Sequence, residues 1–488
     1  MEKKVPFFFS ILLFIALLFH GGKVLALNCQ DGSEEWGYVQ VRPKAHMFWW
    51  LYKSPYRVED PSKPWPIVLW LQGGPGASGV GIGNFEEIGP LDRSLKPRNS
   101  TWLRKADLLF VDNPVGTGYS FVEDKKLFVK TDDEAATDLT TLLIELFSGD
   151  EKLQKSPLFI VAESYGGKFA VTAGLSALKA IEDGKLKLRL GGVALGDSWI
   201  SPEDFVFSWG PLLKDLSRLD DNGLQKSNSI AERIKQQIED GKFVEATDSW
   251  GELENVIATS SNNVDFYNLL EDAGGDDIAA MELGSYEKLS MEKYSRYLTS
   301  MRSRSSSPGG DDDLDKLLNG VIKKKLKIIP ENVTWGGQSG DVFNYLAGDF
   351  MRPRINEVDE LLTKGVNVTV YNGQVRSLST TLPLLVSIII RIDDIHDWMN
   401  IIQVDLICST KGTEAWVHKL KWEGLKIFLA KDRTPLYCGS DKSTTKGFVK
   451  SYKNLYFYWI LKAGHFVPTD QPCVALDMVG AITQSPAT

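Results

Sequence analysis

The stretch that most constrains this chain is Leu158-Phe159-Ile160-Val161-Ala162-Glu163-Ser164-Tyr165-Gly166-Gly167. An apolar strand-like run enters Ala-Glu-Ser-Tyr-Gly without a break, and a helical pattern follows over Gly167–Ile181. A Ser on a sharp strand-to-helix turn between small residues projects its hydroxyl from the end of a sheet. The helix behind it points backbone N–H groups at developing negative charge. Such a turn belongs to strand–helix alternation, and the sequence supplies it. Strands are expected at Ile67–Leu71, Ala106–Asp112, Leu158–Ala162, Gly192–Leu195, Asn367–Tyr371 and Leu455–Ile460, with a helix over Asp132–Leu146. Trp36–Val41 and Ala45–Leu51 read as a hairpin. Unbroken apolar strands separated by helices predict an α/β class, a mostly parallel sheet covered by helices on both faces. Residues from about 211 to 300 are polar, helix-forming and strand-free, so an inserted helical cap is expected over about 211–330.

A serine hydroxyl needs a general base to become nucleophilic. The chain has five His. His20 lies in an apolar N-terminal run, His46 precedes the Ser, His396 falls in an irregular segment, and His418 sits on a helical stretch facing solvent. His465, in Ala463-Gly464-His465-Phe466-Val467-Pro468 directly after the last strand, is where the base belongs in the order Ser, acid, His. The acid is expected after the strand Asn367–Tyr371. Asp405 is the candidate, with Asp393, Asp394 and Asp397 as competitors. Gln72-Gly73-Gly74-Pro75-Gly76 follows the strand Ile67–Leu71, and consecutive Gly residues let backbone N–H groups approach an oxyanion closely. Gly74 N–H and Tyr165 N–H are the expected donor pair.

The N-terminus carries Lys3 and Lys4, an apolar run from Val5 to Phe19, then Val24-Leu25-Ala26, the pattern of a secretory signal cut after Ala26. The mature part would be residues 27–488. The run is too short for a span of about 20 residues, so no membrane anchor is expected after removal. Sequons at Asn99, Asn332 and Asn367 fit passage through the secretory pathway. In that compartment Cys29, Cys408, Cys438 and Cys473 could form two disulfides, by any of three pairings. The formal charge of −9 becomes −11 without the first 26 residues. An acidic chain without a basic footprint does not suit nucleic acid. Neither metal-ligand spacing nor a Gly-rich phosphate loop is present, so no cofactor is implied.

W-L-Q-G-G-P-G, F-E-E-I-G-P, V-D-N-P-V-G-T-G-Y-S, E-S-Y-G-G and G-H-F-V-P together resemble the serine carboxypeptidase family, nearest to the retinoid-inducible type and its plant relatives. The resemblance implies an α/β-hydrolase fold with a helical cap. It implies removal of C-terminal amino acids from peptides in a secreted, vacuolar or lysosomal setting. Roles carried over by motif are Ser164 as nucleophile, His465 as base and Asp405 as its orienting acid. The substrate carboxylate would be held by Gln72, Gly73 and Glu163, with Glu87 beside Glu163 and Trp70 nearby. Two close carboxyls cannot both ionise cheaply, so a protonated Glu163 would donate to that carboxylate, giving an acid preference. The family's Asn is Gln72 here, and its following Cys is Ala77, so a disulfide common in relatives is missing.

Val375–Gln403 interrupts the resemblance, separating Tyr371-Asn372-Gly373-Gln374 from Val404-Asp405 by 29 residues. Its ends are compatible with a GT…AG splice pair, so it reads as a translated retained intron. It is expected to be poorly packed and to lower activity by displacing Asp405. Two further readings follow: an acyltransferase using the same Ser with an alcohol acceptor, and an inactive variant.

Overall fold

The protein is described from a computed structural model, which covers residues 24–25, 33–269 except 59 and 61, 272, 313–374, and 405–486 except 441. The strands are β1 (Val24–Leu25), β2 (Glu34–Arg42), β3 (Ala45–Tyr52), β4 (Ile67–Leu71), β5 (Asp107–Val111), β6 (Phe121–Val122), β7 (Pro157–Glu163), β8 (Arg189–Gly196), β9 (Asn367–Gln374), β10 (Thr434–Leu436), β11 (Gly447–Tyr452) and β12 (Leu455–Leu461). They form one sheet in the order β1-β2-β3-β5-β4-β7-β8-β9-β12-β11-β10, with β6 paired to β3. From β5 to β12 every pairing is parallel, and the outer strands add antiparallel ribbons.

The central strands are apolar on both faces because both faces are covered. Every residue of β4, β5 and β7 is buried. Helices α1 (Asp132–Ser148) and α2 (Gly166–Glu182) pack together on the sheet, and α2 lies against β7 and β8. Cap helices follow: α3 (Pro202–Asp215), α4 (Asp221–Glu239), α5 (Phe243–Ser260) and α6 (Gly340–Phe350), before α7 (Ile355–Thr363) returns to the sheet beside α2 and β9. After β9 come α8 (Thr410–His418) and, at the C-terminus, α9 (Pro472–Thr483). No described helix is long and apolar enough to cross a membrane.

The expected strands and helices are all present, most of them longer by one to three residues. The antiparallel pair β10–β11 had no clear signal, because Gly447-Phe448-Val449-Lys450-Ser451-Tyr452 is half-exposed without strict alternation and β10 is only three residues long. One expectation needs correcting. Cys438 pairs with Cys473, but Cys408 is a free, buried thiol beneath the end of β9, so it joins no second disulfide. The signal segment, Cys29, most of the cap's 270–312 stretch, and residues 375–403 with His396, Asp393, Asp394 and Asp397 lie outside the described residues, apart from Val24–Leu25 and Asp272.

The chain leaves β4 for β5 on one side and leaves β7 for β8 on the other, so the winding of the sheet reverses between β4 and β7. Open α/β sheets place their ligand crevice at the carboxyl ends of strands flanking such a reversal. The residues leaving β4 and β7 there are Gln72–Gly76 and Ser164.

Candidate active site

Ser164 sits one residue past β7 with a φ of 59°, in the left-handed region that a Ser adopts at a cost. The turn is held by Ser164 N–H to Gly196 O (3.0 Å), Gly167 N–H to Ser164 O (3.1 Å) and Trp199 N–H to Ser164 O (2.9 Å). Its glycines are sterically required. A Cβ on Gly166 would stand 2.3 Å from Leu71 O, and one on Gly167 would stand 2.4 Å from Ser198 Cβ. Gly73 is wedged against the same turn, where a Cβ would lie 2.6 Å from Ser164 Cβ and 2.8 Å from Tyr165 N. The loop after β4 therefore lies against the serine. Neither Gly74 N–H nor Tyr165 N–H donates to another described group.

β9 and β12 lie side by side two and three places along the sheet from β7. His465 follows β12 and is fully buried; its Nδ1 is 2.9 Å from Asp405 Oδ2, itself fully buried. Asp405 Oδ1 accepts from Cys408 N–H (3.1 Å). With the ring proton on Nδ1, the lone pair of His465 Nε2 is left without a protein partner among the described residues. Tyr267 from the cap meets the imidazole edge-on at 5.1 Å. The segment carrying Asp405 is pinned from two sides. Asn372 Nδ2 donates to Cys408 O (2.7 Å) and Thr410 Oγ1 to Gly373 O (2.8 Å), while Leu406 and Ile407 N–H both donate to Phe266 O. Asp405 is thus at His465 with residues 375–403 present in the chain, which corrects the expectation that this segment displaces it.

Beside the serine lies a second polar cluster. Leu71 is paired with Ala162, so the next residues, Gln72 and Glu163, emerge together. Trp70 Nε1–H donates to Gln72 Oε1 (2.7 Å), which turns Gln72 Nε2 to Glu163 Oε1 (2.7 Å). Glu87 lies against Glu163 and Gln72, but neither of its oxygens, nor Glu163 Oε2, receives a well-aligned donor among the described residues. Burial pushes Glu87 up to about 7, against the lowering effect of its contacts with Glu163 and Gln72. Burial and then the Glu87 charge push Glu163 well above the ordinary carboxylate range. Two facing acceptors without a donor need a proton between them.

Sequence reasoning missed two groups. Asp197, just past β8, is buried beside Asp405; burial and the Asp405 charge hold its carboxyl well above the usual range. Asn372 Nδ2 and Gly373 N–H donate to its Oδ1, both at 2.9 Å. An acid at the carboxyl end of a central parallel strand was the available signal. The other is Gln338 in the cap, considered below; no motif marks it.

Of the remaining assignments, His46 stacks on Phe121 beside Glu123 and His418 is exposed, both away from Ser164. Asn99 and Asn332 are exposed, whereas half-buried Asn367 spends its Nδ2 on Gly191 O (3.2 Å). Asp405, Cys408 and His465 each place one ligand-type atom within 4.8 Å of the others. Two of them are the hydrogen-bonded His465–Asp405 pair and the third is its buried neighbour, and nothing further among the described residues points to a metal.

Comparison with known proteins bears on this arrangement. The serine carboxypeptidase family model matches residues 27–383 and 391–485, leaving only 384–390 unmatched between the two stretches. The chain is 63% identical over 461 residues to serine carboxypeptidase-like 51 of Arabidopsis thaliana, covering 93% of each protein. It is 45% identical over 474 residues to the human retinoid-inducible serine carboxypeptidase, covering 97% of this chain and 96% of that protein. A prohormone-processing carboxypeptidase from Saccharomyces cerevisiae superposes with a TM-score of 0.66 at 20% identity, over 93% of this chain and 92% of that one, which shows the shared α/β-hydrolase fold.

Proposed function

The chain belongs to the serine carboxypeptidase family and is a serine-type carboxypeptidase hydrolase; from that premise we propose that it removes C-terminal residues through a Ser164–His465–Asp405 triad and an acyl-enzyme. Ser164 Oγ attacks the scissile carbonyl as His465 Nε2 takes its proton, while Asp405 holds the Nδ1–H and steadies the imidazolium. Negative charge gathering on the carbonyl oxygen is met by the N–H groups of Gly74 and Tyr165. His465 then returns the proton to the departing amine, and the C–N bond breaks. Water, deprotonated by the same His465, releases the acyl group.

What makes this a carboxypeptidase site is the pair Glu163–Glu87 beside the serine. Protonated Glu163, with Gln72 Nε2–H and Gly73 N–H, offers donors to a substrate's terminal carboxylate, while Trp70 fixes Gln72. Ionised Glu163 would repel that carboxylate. The test is a blocked dipeptide with a free C-terminus against its amide: the acid is expected to turn over and the amide to fail. Equal rates on both would remove the carboxylate-site assignment. Fluorophosphonate labelling of native protein but not of Ser164→Ala tests the nucleophile separately.

The exposed sequons Asn99 and Asn332 and the Cys438–Cys473 disulfide support a place in the secretory pathway, secreted or vacuolar/lysosomal. Of the sequons, Asn367 is the poorest acceptor, since its amide is already bonded. Edman sequencing of secreted material is expected to begin near Leu27.

A further inference from the structure

The loop that carries Gly74 is held from outside the sheet. Ser78 N–H donates to Gly337 O (3.0 Å), Ser339 N–H to Gly76 O (2.9 Å) and Gln338 Nε2 to Pro75 O (2.7 Å). Ala77 faces Gln338 across this short antiparallel bridge. A Cβ on Gly74, whose φ is 104°, would lie 2.8 Å from both ends of the Gln338 amide. Gln338 therefore grips the carbonyl one residue beyond the proposed donor and fills the space behind it. Within the loop, only Ala77 N–H to Gly73 O (3.0 Å) adds a comparable backbone restraint.

These three residues lead straight into α6, whose first turn is capped by Ser339. The other end of α6 reaches the second proposed donor. Phe350 stacks on the Tyr165 ring at 5.7 Å and 1°. Lys168, beside the Tyr165 hydroxyl, donates to the carbonyls of Asp349 and Phe350. One cap helix thus touches both sides of the anion-stabilising pair, through its lead-in at Gly74 and its last turn at Tyr165.

We propose that α6 sets the spacing of the two donors, with Gln338 as the positioning residue on the Gly74 side. This rests on the reading of Gly74 and Tyr165 N–H as the oxyanion donors. Ala77 carries no thiol, so the loop here is restrained by hydrogen bonds without a covalent link at that position. Gln338 is half-buried, and its amide nitrogen is directed to Pro75 O of the Gly74 loop. Its loss should therefore act on the transition state and spare substrate binding.

The experiment compares native protein with Gln338→Leu, which keeps bulk but cannot donate, and with Gln338→Ala. The readouts are kcat, KM, the thermal midpoint, and inhibition by an N-blocked dipeptide aldehyde and its alcohol. The aldehyde carbon bonds to Ser164 Oγ and its oxygen occupies the oxyanion position. Removing a true oxyanion donor costs about 100- to 1,000-fold, and loosening one costs less. Gln338→Leu is expected to lose about 10-fold in kcat and about 10-fold in aldehyde affinity, with KM, alcohol affinity and midpoint unchanged; Gln338→Ala should lose at least as much. If native protein binds the aldehyde no better than the alcohol, the oxyanion reading itself falls. If native protein does discriminate but both variants keep its kcat and aldehyde affinity, only the role of Gln338 is overturned. Losses confined to KM or to the midpoint would overturn it equally.

Discussion

Two groups of buried carboxylates flank the serine turn, and they are handled in opposite ways. On the α2 side, Asp132 and Asp349 face Lys168 and Arg354. Arg354 reaches Asp132 Oδ2 (3.0 Å) and Asp349 Oδ2 (2.7 Å), Lys168 Nζ is 3.4 Å from Asp132 Oδ2, and Tyr165 donates to Asp132 Oδ1 (2.8 Å). On the β4 side, Glu87 and Glu163 face each other, and the cation felt at Glu87, Arg98, spends an N–H on Phe85 O. The first group is neutralised by charge. Burial raises Asp349, but Lys168, the Asp132 N–H and Arg354 bring it below the ordinary value. Burial draws the Lys168 ammonium down to about 8, so it stays charged below that pH. The second group can be neutralised only by a proton. A buried acid with a cation is architecture; a buried acid without one is a site that titrates.

The largest effect should come from unbalancing the first group. Arg354→Met leaves two buried aspartates against one lysine, and breaking such a cluster costs about 3–5 kcal/mol. A urea titration should show the midpoint falling with an unchanged m-value. A midpoint within experimental error of native would mean that Lys168 alone suffices and that the two groups differ less than their partners suggest.

A smaller effect, with a sign, belongs to the second group. Glu87 is raised from 4.5 to about 7, so the folded state holds a proton that the unfolded state gives up. Its stabilisation is fully present below about 4.5 and is lost as pH rises to about 7. Asp349 has the opposite sign: its contribution is present above 3.8 and fades as pH falls through its lower folded value. Activity on free-acid substrates should decline over the same rise in pH that ionises the Glu pair. Glu163→Gln keeps a donor and removes the repulsion, so its kcat/KM should stay within about tenfold of native at acid pH and lose less above it. A variant profile that falls as steeply as native would place the titrating group elsewhere.

Much of this was legible before the structure. Apolar strands and the Ala-Glu-Ser-Tyr-Gly turn announce the sheet and Ser164, because turn sterics demand those small residues. His465 emerged from the small number of histidines. Gln72 and Glu163 were legible only through the family motif, since their meeting depends on the pairing of Leu71 with Ala162. Asp197, Gln338 and the Arg354 cluster were not legible. Each is made by contacts between segments 175 to 263 residues apart, such as Gln338 with Pro75, and no local pattern encodes them.

The smallest expected effect on turnover concerns Val375–Gln403 and asks whether local partners or chain neighbours fix a buried acid. Asp405 is held by His465 and by Cys408 N–H, and its segment by Asn372, Thr410 and Phe266 O. None of those contacts involves residues 375–403. Gly373 and Thr410, on either side of 375–403 in the chain, are already joined by a hydrogen bond, so a chain lacking those residues should keep Asp405 in place. Each halving of loop length relieves about 0.6 kcal/mol of closure entropy, and shortening the loop closed at Gly373–Thr410 by 29 residues is a little over two halvings, which favours the shorter form by about 1.4 kcal/mol in stability. Stability is not turnover, however. With the acid already 2.9 Å from His465 in the longer form, kcat/KM of the two forms should agree within about threefold. A gain of 100-fold on deletion would mean that the insert does disturb the acid, and that Asp405 depends on its chain neighbours as the two flanking groups do not. Sequencing the gene across these codons would separately decide whether they are a retained intron.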